Sequence, residues 1–193
     1  MNKFMGVALV FAFVGGAFAD ESTNAVSTVS DLATTNATAS VADPSVARRL
    51  ALRKKVGARV DKDVEAYGKE GVREIERLYR AYSKTREIET EDLKALLEKY
   101  PSANRTGCAV MYAGQRARLE GEKWFRLAIE KSSDCYYGDG ACVGAYARYY
   151  LAGLCKRSGK SEEAKKLIAE IKSQYPDAVT HRGQLFSEIL KDE

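Results

Sequence analysis

Between residues 46 and 190, apolar side chains recur every three or four positions, the spacing that lines one face of an α-helix. Val46, Leu50, Val56, Val60, Val64 and Tyr67 predict a first helix, opened by Asp43-Pro44-Ser45. Gly68 and Gly71 weaken it, each by about 1 kcal/mol relative to alanine. The pattern resumes at Val72, Ile75, Leu78, Tyr79 and Tyr82. Thr90, with Glu91 and Asp92 just after it, starts a helix bearing Leu93, Leu96, Leu97 and Tyr100, and Pro101 ends it. Ser102 is the expected cap of a helix carrying Cys108, Val110, Met111, Tyr112 and Leu119, broken at Gly121. Trp124, Phe125, Ala128 and Ile129 mark the next one. A loop follows at 132–140, where Ser, Asp and Gly accumulate. Val143, Tyr146, Ala147, Tyr150, Leu151, Leu154 and Cys155 form another helical face, closed by Ser158-Gly159. Ala164, Leu167, Ile168 and Ile171 form one more, ended by Pro176, and a last helix is expected over 184–190. Nothing alternates over a long stretch, so the expected class is all-α.

The first 43 residues obey different rules. Residues 1–19 read MNKFMGVALVFAFVGGAFA: a lysine, an apolar run, then Ala17-Phe18-Ala19. This is the layout of a secretory signal peptide, with cleavage expected after Ala19. The apolar run is shorter than the roughly 20 residues that span a bilayer. Residues 20–43 are rich in Ser, Thr, Ala and Asn and hold no aromatic residue, which is the composition of a flexible linker. The domain organisation expected is therefore a signal peptide (1–19), a linker (20–43), a basic amphipathic helical segment (44–70) and a helical domain (71–193). A leader of this kind sends the protein to the periplasm or the outside of the cell. In a eukaryotic host, Asn36-Ala37-Thr38 and Asn104-Arg105-Thr106 would be glycosylation sequons.

The stretch 145–178, AYARYYLAGLCKRSGKSEEAKKLIAEIKSQYPDA, resembles a tetratricopeptide repeat, a helix–turn–helix unit of about 34 residues. Leu151-Ala152 matches the family's Leu-Gly step, Gly159 its turn, and Ala164 the small residue of its second helix. Ile168 and Ile171 take apolar positions, and Pro176 the closing proline. Ala152, Cys155 and Arg148 depart from the pattern, standing where glycine, an aromatic and a bulky apolar residue are usual. Tyr100-Pro101 repeats the ending of Tyr175-Pro176. Two units of about 34 residues fall short of that separation, and the loop at 132–140 together with a wider turn near Glu120 fits the surplus. A degenerate unit is thus expected over 103–140, with Gly114, Gly121 and Ala128 in the matching roles. A weaker one is expected over 71–101, and a capping helix at the C-terminus.

The resemblance implies an α-solenoid of helix hairpins whose concave side is lined by the first helix of each unit. The family's groove-facing positions fall on Tyr146, Tyr149, Gly153, Lys156 and Arg157. By register, Arg105, Tyr112 and Arg116 face the groove on the preceding unit. Tyrosine and arginine suit a peptide-binding surface, since each offers a large contact with a polar tip; the same tyrosines could instead fill gaps between repeats. In layout the chain is similar to periplasmic repeat proteins of envelope assembly and cell-division coordination. A protein or peptide partner in the cell envelope is the implied ligand.

Composition narrows the chemistry. Lys+Arg 31 against Asp+Glu 27 gives +4, too weak a bias to argue for nucleic acid. Six basic residues and no acidic one lie in 46–60: Arg48, Arg49, Arg53, Lys54, Lys55 and Arg59. A basic amphipathic helix can dock on an anionic membrane or cell-wall polymer, which is the alternative function. His181 is the single histidine, with no partner suggested by the sequence. No Cys-x-x-Cys, compact zinc set or calcium-loop spacing occurs. The chain is therefore expected not to be an enzyme, and to need no cofactor and no metal. Four cysteines in an exported chain permit disulfides. The repeat geometry sets Cys108, Cys135 and Cys142 at one edge of the stack. It favours a Cys108–Cys135 bridge, with Cys135–Cys142 as the alternative and Cys155 buried and unpaired; a chain with all four thiols reduced is the other outcome. Cys142 and Cys155 stand roughly 20 Å apart along one helix, too far to bridge.

Overall fold

The computed structural model describes residues 44–191. The expected signal peptide with its cleavage site, the expected linker and the sequon at Asn36 lie outside the described residues. The fold is all-α: α1 (Pro44–Lys84), α2 (Glu91–Lys99), α3 (Asn104–Ala117), α4 (Glu122–Lys131), α5 (Val143–Arg157), α6 (Ser161–Gln174) and the single-turn α7 (Phe186–Ile189). A 3-10 turn, Arg118–Glu120, joins α3 to α4. Among the described residues the only β pairing is two isolated bridges, Tyr136 with Cys142 and Val179 with Leu185. No helix among them is long and apolar enough to cross a membrane.

Each helix packs on its neighbours in the chain, and α3 also touches α1 and α5. One core runs through the stack. It joins Ile75, Leu78 and Tyr82 of α1 to Leu93 and Leu96 of α2, Val110 and Met111 of α3, and Phe125 of α4, and continues to Leu151 of α5, Ile168 and Ile171 of α6, and Phe186. α5 is buried almost all round, because α3 and α4 cover one side and α6 the other. Local signals account for several boundaries. The Thr90 hydroxyl accepts from the Leu93 amide and caps α2, as its position before two acidic residues predicts. α1 leaves helical geometry at Gly68, whose φ of 67° is costly for other residues, so α1 is two helical segments meeting at a kink, at the place where the glycines predict a break. Gly114 and Gly121 let α3 and α4 close together. A Cβ on Gly114 would lie 2.5 Å from the Phe125 ring, and one on Gly121 would strike the Gly114 carbonyl.

The cap of α3 differs from the expectation. Ser102 does not provide it; the first helical amide, Asn104 N–H, donates to Oδ2 of Asp63 at 2.9 Å. Asp63 Oδ1 accepts from Arg59 at 2.5 Å, and Arg59 also donates to the Ser102 carbonyl. Both side chains are buried. A charged pair on α1 thus does the work of a local cap, and Arg59 is no part of a solvated basic face. Arg148 has a similar place on α5. It pairs with Glu170 at 2.8 Å and donates to the Tyr175 hydroxyl at 3.2 Å, so a buried arginine braces each Tyr-Pro turn.

The loop at 132–140 is part of a short hairpin, and the hairpin recurs. Tyr137 N–H bonds to the Ala141 carbonyl, Gly140 N–H to Tyr137, and Val143 N–H to Cys135. Thr180, Gln184, Gly183, Phe186 and Ala178 make the same three bonds in the same order. Gly140 and Gly183 hold the matching left-handed turns, with φ of 90° and 79°. This second hairpin takes in the start of the expected last helix and leaves α7 one turn long. No such hairpin precedes α3, which begins directly after Ala103. The surplus length between the Tyr-Pro turns is therefore the hairpin before α5.

The expected disulfide is not formed: all four cysteines are free and buried. The Cys135 sulfur sits against Gly107 and within 3.8 Å of Arg59, while the Cys108 sulfur lies 3.5 Å from the Tyr136 carbonyl. The Cys142 sulfur lies 3.4 Å from the Ser133 carbonyl, so neither the Cys108–Cys135 nor the Cys135–Cys142 pairing is realised. Burial pushes the Cys135 thiol up to about 12, with Arg59 pulling it back, and raises Cys108 further. Side chains in these positions are inert thiols filling a core. Asn104 is equally closed to a sugar, since its side-chain amide exchanges two hydrogen bonds with the Tyr136 backbone, at 2.9 and 2.7 Å.

Candidate functional site

The candidate site is a run of aromatic rings crossing α1, α3, α5 and α7. Tyr79 stacks on Tyr112 with centroids 6.1 Å apart, and Tyr112 meets Tyr137 at 5.9 Å. Tyr137 meets Tyr146 edge-on at 6.4 Å, and Tyr146 meets Phe186 at 5.1 Å. Tyr149 flanks Phe186 at 5.4 Å, and Tyr150 stacks between Tyr146 and Phe125. The helical repeat brings this about: Tyr146, Tyr149 and Tyr150 lie three and four positions apart on one face of α5. The hairpin at 135–143 inserts Tyr137 between that face and α3.

Arginines edge the run at its α1–α3 end. Arg105 lies over the Tyr79 ring at 4.9 Å and pairs with Glu76 at 2.6 Å. Arg116 lies over Tyr82 at 4.5 Å and Tyr112 at 5.7 Å. Its guanidinium donates to the carbonyls of Tyr82, Ser83 and Glu87, which end α1 and its following turn. Both arginines therefore have structural duties, capping and pairing, besides the faces they leave toward solvent.

At the other end, the tips of the two hairpins touch. His181 Nδ1 lies 2.7 Å from Asp139 Oδ2, and the imidazole stacks on Tyr146 with centroids 4.7 Å apart. Its backbone amide donates to the Tyr146 hydroxyl at 2.7 Å. Burial pushes the Tyr146 phenol up to about 12, opposed by that amide. Burial would also raise the Asp139 carboxyl, but hydrogen bonds from His181 and the Ala141 amide outweigh it and hold the group below its usual range. The Tyr137 hydroxyl is buried and has no hydrogen-bond partner among the described residues.

The sequence-predicted groove residues thus fall in three groups. Tyr112, Tyr146 and Tyr149 join the aromatic run. Arg105 and Arg116 border it. Lys156 and Arg157 are exposed at the end of α5, on the face that carries Tyr149 and Tyr146, with Gly153 between them. Tyr146 is more deeply buried than a groove-lining position requires, so much of its ring serves packing. Sequence reasoning passed over Tyr79, Tyr137 and the Asp139–His181 pair. Tyr79 lay on a helix read as a weak unit. Asp139 and His181 are joined only by the matched hairpins, whose shared glycines were the one available signal. Compared with family models, with curated proteins and with solved structures, the chain matches none.

Proposed function

We propose that this chain is an exported helical-repeat scaffold of the tetratricopeptide type, and that its tyrosine-paved face binds a peptide or protein partner in the cell envelope. One observation carries the reading: the half-buried rings of Tyr79, Tyr112 and Tyr149 lie on the first helices of successive hairpins, held in place by the buried rings of Tyr137, Tyr146 and Phe186 beneath them. The short turns between α3 and α4 and between α5 and α6 return each second helix against its first, and the Tyr-Pro turns close the pairs. Those features support the repeat reading. The half-buried Tyr112 and Tyr149, with Arg157 exposed beyond them, offer aromatic area and positive charge. That chemistry suits a partner segment bearing apolar and acidic side chains. The alternative, docking of 46–60 to lipid or cell-wall polymer, has less behind it. Arg59 is withdrawn into a buried pair, and Asp61 and Glu65 are exposed on the same helix.

A photo-crosslinking amino acid placed at Tyr149 or Arg157 tests this in envelope extract, with Lys165 of α6 as the control position. The expected result is a discrete adduct from Tyr149 and Arg157 that is absent from Lys165. Equal adducts from all three positions, or none from the first two, would remove the proposal.

A further inference from the structure

The first half of α1 presents two apolar stripes and needs only one of them. Leu52 packs on the hairpin, where a Cβ on Gly140 would meet it at 2.7 Å, and Arg59 and Asp63 lie on the same inner face. The second stripe points outward: Val46, Leu50, Val60 and Val64 are 50, 68, 40 and 36 % exposed. At 100° per residue these four lie within an arc of about 80°. With Arg53 and Gly57 between them, the positions follow the alternating four-and-three spacing of a coiled-coil seam, 46-50-53-57-60-64. The seam stops being free just beyond Val64, where Tyr67 turns inward onto Tyr100 at 5.3 Å and the helix bends at Gly68.

We infer that this stripe is the contact between two copies of the chain, paired antiparallel along α1. Charge chooses the occupant. The N-terminal part of the stripe carries Arg53 within it and is flanked by Arg49 and Lys54, and the C-terminal part is flanked by Asp61 and Glu65, all exposed. Lys54 and Asp61 lie on the same edge of the seam, and neither has an ion-pair partner among the described residues. An antiparallel copy centred near Gly57 sets Lys54 of each beside Asp61 of the other. A parallel copy would set Arg49 beside Lys54, like against like. An anionic membrane would attract the basic half and repel the acidic half, so it matches the stripe less well than an antiparallel copy, which satisfies both. Gly57 sits mid-seam, and a Cβ there would meet nothing within 4 Å, so the backbone is open to close approach. The seam is about 27 Å long at 1.5 Å per residue, which puts the contact at the small end of specific interfaces. The dimer is accordingly a weak one, with a dissociation constant on the order of micromolar.

Sedimentation equilibrium on the purified protein, as processed by its host cell, tests this. The expected result is a monomer–dimer equilibrium. Leu50→Lys weakens it by more than about a hundredfold, and Lys54→Glu or Asp61→Lys each by about tenfold. The exchange Lys54→Asp with Asp61→Lys returns it toward the parent. None of these side chains touches the core, so far-UV circular dichroism stays unchanged. A short bis-maleimide should join Gly57→Cys copies and spare Val46→Cys copies, since the native thiols are buried. A protein that stays monomeric at several hundred micromolar overturns the inference. So does a Val46→Cys variant that crosslinks as well as Gly57→Cys. Retention on phosphatidylglycerol–phosphatidylcholine vesicles without self-association would assign the stripe to lipid instead.

Discussion

Replacing Asp63 by alanine should unfasten α1 from the rest of the stack. The carboxylate does two jobs at once: it neutralises the buried Arg59 and caps α3 through the Asn104 amide. Losing a cap costs about 1 kcal/mol. Removing one partner of a buried ion pair costs about 3–5 kcal/mol. Here the second figure must be discounted, because Arg59 keeps the Ser102 carbonyl and the exposed Asp134 carboxylate 3.6 Å from its Nε. A net loss of about 3 kcal/mol follows. For a folded part of about 150 residues, that lowers Tm by about 6–12 °C. Urea unfolding followed by circular dichroism should show a lower midpoint at an unchanged slope. Asp63→Asn keeps an acceptor for the Asn104 amide and should cost about half as much. Arg59→Met with Asp63→Leu removes both charges together and should recover most of the loss, since apolar replacements of buried pairs are often neutral. A cost below about 1 kcal/mol for Asp63→Ala, or strict additivity of the Arg59 and Asp63 single variants, would refute the coupling argued here.

Two other tests address packing and pH. Gly114→Ala should destabilise by about 1–3 kcal/mol, because its new methyl meets the Phe125 ring at 2.5 Å. Gly153→Ala, on α5 with open space around it, should stabilise by up to about 1 kcal/mol in the same urea assay. The carboxyl of Asp139 is held below its usual range by His181 and the Ala141 amide, so its contribution is present above the unfolded value and fades as pH falls through the folded one. Asp139→Asn should therefore lower the midpoint near pH 6 and leave parent and variant alike well below pH 3, read from urea midpoints across that range.

Much of the helix content was legible because it rests on local chemistry. Thr90 caps α2 with its own hydroxyl, Pro101 and Pro176 follow the helices they close, and Gly68 admits the backbone angle that bends α1. The aliphatic spacing from Val46 onward located the helices to within a few residues. The α7 region fails for a reason of the same kind in reverse. Leu185, Phe186, Ile189 and Leu190 carry a helical period, yet the backbone bonds of Thr180 and Gly183 to Gln184 and Thr180 take its start into a hairpin. The site was legible in part. Tyr112, Tyr146 and Tyr149 were visible from their register, whereas Tyr79, Tyr137 and His181 needed their neighbours.

The sequence by itself determined where the chain turns helical, because capping, helix breaking and amphipathic spacing act within a few residues of one another. It also determined the number of cysteines, though not their state: the free thiols follow from what burial places beside each sulfur. Tertiary structure alone decided that Arg59 would be withdrawn from a basic stretch to meet Asp63, and that an aspartate far up the chain would cap α3. It alone joined Asp139 to His181 and left Val46, Leu50, Val60 and Val64 uncovered. Each of these outcomes depends on which surfaces meet. Burial turns a charge from a solvated group into one that must find a partner, and only the folded chain fixes who that partner is.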